Sequence, residues 1–219
     1  GDSVTPAGLQ QIYAYDKRLP RDRRGLAAWP FDPGNPLTAR VYVNRIWQQH
    51  FGYGLVETAE DFGVQGSVPT HPELLDWLAV QFVKSDWDIK ALHKSIVMSA
   101  TYRQSSNATD ELLSKDPRNR WLARGLRIRM PAEMVRDNAL AASGLLVRKL
   151  GGPSVYPYQP AGIWSGLSPQ PYPEADALPD DQHHRRSLYS FVERNAPHPA
   201  RAVFDFPDRL AANVRRKTS

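Results

Sequence analysis

The chain has 219 residues, is 41% hydrophobic and 23% charged, and carries a formal net charge of +5 with a pI near 9.5. This composition fits a globular protein of one or two domains and excludes a disordered chain, and no run approaches the roughly 18 consecutive apolar residues of a membrane-spanning helix. Cysteine is absent, which excludes disulfides, thiolate zinc sites, iron–sulfur clusters and haem attached through cysteine.

The basic excess is local. Residues 16–24 and 201–219 each hold five basic and two acidic residues, so the rest of the chain is close to neutral. A nucleic-acid groove needs a coherent basic stripe on a folded element. Two local runs read instead as solvated charge, and nucleic acid is not expected as a partner. No secretion signal is present, and the opening Gly1-Asp2-Ser3 is expected to lie downstream of the natural N-terminus.

In chain order, Leu9–Tyr15 reads as a short helix and Leu26–Trp29 as a helical turn stopped by Pro30 and Pro33. Pro36 suits the first turn of a helix that runs to Phe51, where Gly52 ends it. Val43, Ile46, Trp47 and His50 form its apolar stripe, with Asn44, Arg45, Gln48 and Gln49 off it. Thr70-His71-Pro72-Glu73 has the pattern of a capping box for a helix to about Lys84. Its apolar residues are Leu74, Leu75, Leu78, Ala79, Phe82 and Val83, a wide face that predicts neighbours on more than one side; Trp77 reads either as core, like Trp47, or as a sugar-stacking surface. Asp88 is a suitable N-cap for a third helix, Ile89–Met98. A short helix is expected over Asp116–Ala123, and a longer one from Pro131 to about Gly144. From Gly151 onward Pro153, Pro157, Pro160, Pro169, Pro171, Pro173 and Pro179 prevent long helices; one strand is expected over Ser187–Val192.

The fold expectation is therefore mainly α: an N-terminal extension over 1–34, a helical core over 35–150, and an irregular proline-rich part with minor β structure over 151–219.

Several ordered motifs carry a family resemblance. They are Asn35-Pro36-Leu37-Thr38-Ala39-Arg40-Val41, Asn44-Arg45-Ile46-Trp47, Asp61-Phe62-Gly63, Pro69-Thr70-His71-Pro72-Glu73-Leu74-Leu75-Asp76-Trp77-Leu78 and Ser99-Ala100-Thr101-Tyr102-Arg103-Gln104. Weaker matches follow at Gly151-Gly152-Pro153, Arg185-Arg186-Ser187-Leu188-Tyr189 and Phe204-Asp205-Phe206-Pro207. The chain resembles a domain family of unknown function in planctomycete-type bacterial envelope proteins. In that family the domain is the C-terminal partner of a cytochrome-c-like domain. The resemblance implies an exported setting, periplasmic or cell surface, partners among the other domains of the same polypeptide, and a domain that continues past Ser219. It transfers no activity, no cofactor and no catalytic residue.

The residues themselves offer few reaction groups. Glu57, Glu60, Asp61, His71, Glu73 and Asp76 are the densest acidic cluster, read mainly as capping and surface charge, with acid–base glycoside chemistry as the rival. His50 and His93 sit on apolar helix faces; converging with Met98 or His71 they would suit a metal or a non-covalent haem. No such pairing is visible in the spacing, so no cofactor and no metal is assigned. Arg124, Arg127, Arg129, Glu133, Arg136 and Asp137 read as an internal ion-pair network. The binding candidates are the loop aromatics Trp164, Tyr158 and Tyr172, which could stack on a sugar, with Arg45 and Arg103 as anion grips. The leading expectation is a non-catalytic structural or interaction module. The rival is a carbohydrate-binding or carbohydrate-active domain, with a polysaccharide as ligand.

Overall fold

A computed structural model describes residues 13–127, 129–163, 172–174, 177–193 and 196–204. The chain divides into two compact units, residues 1–128 and 129–219. The helix expected over Leu9–Tyr15 falls largely outside the described residues.

The first unit begins with α1 (Arg23–Ala28), capped by Asp22, whose Oδ1 accepts from the Arg24 and Gly25 amides at 2.9 and 3.1 Å. A 3₁₀ turn over Trp29–Phe31 follows and buries Trp29. In front of α2 (Thr38–Phe51), Asn35 Oδ1 accepts from the Leu37 and Thr38 amides, satisfying two of the donors that a helix start leaves open. Gly52, at φ +76°, closes α2 in a conformation that a side chain resists.

Next comes α3 (Pro72–Lys84), where the structure corrects the capping box. The N-cap position is His71, and no side chain caps the helix. The Thr70 hydroxyl donates instead to the Leu55 carbonyl at 3.3 Å, and the Thr70 amide to the same oxygen at 2.8 Å. Pro72 in the first turn removes one orphan donor, so less is left for Thr70 to cap. Four residues, 85–88, reverse the chain into α4 (Ile89–Met98), with Asp86 and Trp87 both at positive φ. The Trp87 amide donates back to the Phe82 carbonyl at 3.0 Å, the longer bond of a Schellman-type helix end. Asp88 caps α4 as expected, accepting from the Ala91 amide at 3.0 Å.

α2, α3 and α4 pack together around one apolar cluster built from Val43, Ile46, Trp47, Leu75, Phe82 and Ile96 with their neighbours. Short helices α5 (Ala100–Arg103) and α6 (Asp110–Lys115) follow, capped by Ser99 and Thr109. No helix forms over Asp116–Ala123. The buried Asp116 carboxylate accepts from the Arg120 and Trp121 amides, and Asn119 and Leu122 take positive φ, so the segment is a turn held by its own aspartate.

In the second unit, α7 (Ala132–Ala142) packs against a 3₁₀ turn over Ser187–Tyr189 and against α9 (Pro199–Val203); α8 (Asp180–His183) precedes the turn. The strand expected over Ser187–Val192 is absent: half of it is that 3₁₀ turn. Two isolated parallel bridges, Val147 with Arg185 and Val155 with Ser190, are the β structure of the described residues. The chain is mainly α. No helix of the described residues is long and apolar enough to cross a membrane.

Candidate functional site

Helix α3 has two apolar sides. Leu75, Leu78, Ala79 and Phe82 point into the core. At 3.6 residues per turn, Glu73, Trp77, Val80 and Lys84 fall within about 60° of one another on the diametrically opposite side. That side is ordinarily polar. Here its middle two residues are Trp77 and Val80, 54% and 50% exposed. Beside Trp77, α3 and α4 leave an open groove of about 240 Å³ lined by Trp77, Leu78, Gln81, Phe82, Ala91 and Leu92. On the other flank Arg40 of α2 donates to Asp76 at 2.6 Å, and that hydrogen bond holds the Asp76 carboxyl below its ordinary range.

Sequence reasoning left Trp77 between the core and a sugar-stacking surface and did not single out this face. The signal was present: the spacing 73, 77, 80, 84 is a helical stripe of its own, half a turn away from the Leu75–Leu78–Phe82 stripe.

A second convergence lies between α2 and α4. His50 Nε2 and His93 Nδ1 are 2.7 Å apart, and the Tyr102 ring stands edge-on to His50 at 5.6 Å. One ring nitrogen donates to the other, so the contact requires a neutral acceptor ring. Burial, and then the neighbouring His93, lower the pKa of His50. The two histidines do meet, but no group of three metal-ligating side chains occurs among the described residues. His71 lies against the Thr70 hydroxyl.

The acidic cluster is largely engaged. Arg118 and Arg120 both clamp Glu57, Asp61 accepts from the Gly63 amide, and Asp76 pairs with Arg40. Each oxygen of Glu57 thus already has a guanidinium partner. The ion-pair network expected here is present in part, since Asp137 pairs with Arg136 at 3.9 Å and with Arg186 at 3.5 Å, while two of its arginines also grip backbone oxygens. Arg124 donates to the Asp116 and Pro117 carbonyls, and Arg136 to those of His183 and Arg185.

Of the binding candidates, Arg45 on α2 and Arg103 at the end of α5 are exposed residues of the first unit. Tyr158 and Tyr172 belong to the second unit. Tyr158 is 62% exposed, and its carbonyl accepts from His198 Nε2 at 2.9 Å. Tyr172 is packed: its hydroxyl donates to the Pro157 carbonyl, its ring meets Tyr156 edge-on at 5.4 Å, and burial pushes its pKa up to about 12. Trp164 lies outside the described residues.

The sequence model of one family, described as "PSD1: Protein of unknown function (DUF1553)", matches residues 22–219. No curated protein and no solved structure matches the chain.

Proposed function

The chain belongs to the PSD1 family of proteins of unknown function, and from that premise we propose that it is a non-catalytic interaction module that binds protein through the outward face of α3. The observation that carries this reading is the position of Trp77 and Val80. They lie opposite the core on a helix that packs against both α2 and α4, and Trp77 borders an open groove. An apolar stripe flanked by charge, with a groove beside it, is the anatomy of a docking surface. Arginines of the second unit, Arg185 and Arg201 buried and Arg136 half-buried, support the same reading. Arg136, Arg185 and Arg201 donate to backbone carbonyls of their own unit and so act as latches.

In this reading the chain is an exported part of a larger bacterial envelope protein and works beside other domains of the same polypeptide, a cytochrome-c-like domain among them. The support is the resemblance of residues 35–104 to planctomycete-type envelope proteins. A second reading, carbohydrate binding, is favoured by one observation, the outward Tyr158 ring in the proline-rich segment.

Photo-crosslinking tests the first reading. A photoreactive residue at position 77 of the full chain, in its native polypeptide, should form covalent adducts with protein. The same residue at position 115, on the exposed surface of α6, should not. Equal yields from both positions would overturn the proposal.

A further inference from the structure

Building on that reading of the α3 face, we propose that its partner is a second copy of this chain, paired through α3 in an antiparallel, two-fold arrangement. The outward stripe is self-complementary. Glu73 and Lys84 lie equally far from the point midway between Leu78 and Ala79, and so do Trp77 and Val80. A two-fold axis through that point brings Glu73 level with Lys84 of the second copy, twice. It also brings Trp77 level with Val80, twice. A parallel pairing would set Glu73 against Glu73 and Lys84 against Lys84, which costs energy.

The end charges are available for this. Neither Glu73 nor Lys84 makes an ion pair among the described residues, whereas Asp76 on the same helix is held by Arg40. Their signs also suit the helix dipole, acid in the first turn and base in the last. Antiparallel pairing then aligns the two dipoles favourably as well.

The groove fits the same geometry. A two-fold axis perpendicular to both helices keeps each residue on its own side of the interface. Trp77 lies on the α4 side of the stripe, next to the groove, and Val80 on the side of Asp76 and α2. Each Trp77 indole therefore comes to the mouth of the groove of the other copy, which Gln81, Phe82 and Ala91 help to line. Aromatic anchors seated in pockets at the centre of an interface carry most of its energy. One helical stripe covers less than the roughly 800 Å² per partner of a standard stable interface, so the pairing is weak and concentration-dependent.

Sedimentation velocity of the full chain over a wide concentration range should show a reversible monomer–dimer equilibrium. Glu73→Lys alone, and Lys84→Glu alone, should each weaken the dimer about tenfold, because each puts like charges together at two symmetric points. An equimolar mixture of the two variants should regain association, since every facing pair is then opposite in sign. Circular dichroism confirms that each variant is folded; Glu73→Gln and Lys84→Gln replace any that is not. A chain that stays monomeric at every concentration overturns the dimer. So does a dimer that withstands both reversals and Trp77→Ala. Adducts from position 77 to a different polypeptide or domain would overturn the dimer and leave the α3 docking face standing.

Discussion

Asn44 and Val56 are joined by two hydrogen bonds: the Asn44 side-chain amide donates to the Val56 carbonyl, and the Val56 amide donates to Asn44 Oδ1, both at 2.9 Å. Asn44 is 0% exposed, so an asparagine on α2 pairs with a loop as a neighbouring strand would. This tie fixes the connection that carries Leu55 and Val56 into the core, and the Leu55 carbonyl in turn receives Thr70. Asn44→Ala leaves a buried N–H and C=O without partners. It should cost about 3 kcal/mol in denaturant unfolding. A loss below about 1 kcal/mol would mean that water replaces the amide.

Gly54 tests the same tie from the other side. A Cβ there would stand 2.6 Å from Asn44 Nδ2 and 2.5 Å from the Val56 carbonyl oxygen. The glycine is needed for close approach, so Gly54→Ala should destabilise although its φ is not in the left-handed region. Combined with Asn44→Ala, the two losses should be less than additive, because part of the clash goes with the amide. Full additivity in a double-mutant cycle would separate the two residues.

The helices that were legible in the sequence are those whose ends and faces are written locally. Gly52 ends α2 and Asp88 starts α4 in both readings. Errors came where a polar residue serves a distant partner. Thr70 has the spacing of a cap but bonds to Leu55, fifteen positions back, and Asn44 looks like a surface residue until Val56 is placed beside it. Asp116 looks like a helix start, yet its carboxylate curls its own segment into a turn. The meeting of His50 and His93 depends on how α2 and α4 pack, which periodicity on either helix does not encode.

Arg185 illustrates this for the second unit. Its guanidinium donates to the carbonyls of Lys149, Gly151 and Pro153, and lies 4.1 Å from the Tyr189 ring centroid. A planar fork spans three oxygens and a ring face together, which a lysine ammonium does not. Arg185→Lys should therefore destabilise the second unit by about 2 kcal/mol. Unchanged thermal unfolding would show that the carbonyls are satisfied without it.

The carbohydrate reading rests on Tyr158. Since its ring is outward and its backbone carbonyl is tied to His198, Tyr158→Ala should weaken retention on polysaccharide resins while the circular dichroism stays the same. A wild-type chain that retains no glycan in a broad screen removes this reading altogether.

The histidine pair predicts a dependence on pH. The folded-state pKa of His50 is lowered, first by burial and then by His93, so the unfolded chain binds a proton more readily than the folded one. With a folded pKa below the unfolded value, the stabilising contribution is complete above the unfolded value, about 6.5. It is lost as pH falls from there through the folded pKa. His198, also lowered by burial, adds a term of the same sign. Unfolding free energy should therefore fall as the solution is acidified below neutrality. His50→Gln removes the titrating ring but can still hydrogen-bond to His93, so it should flatten the acid-side slope and leave the share that belongs to His198. An acid-side slope identical in the two proteins would mean that the His50–His93 contact does not resist protonation.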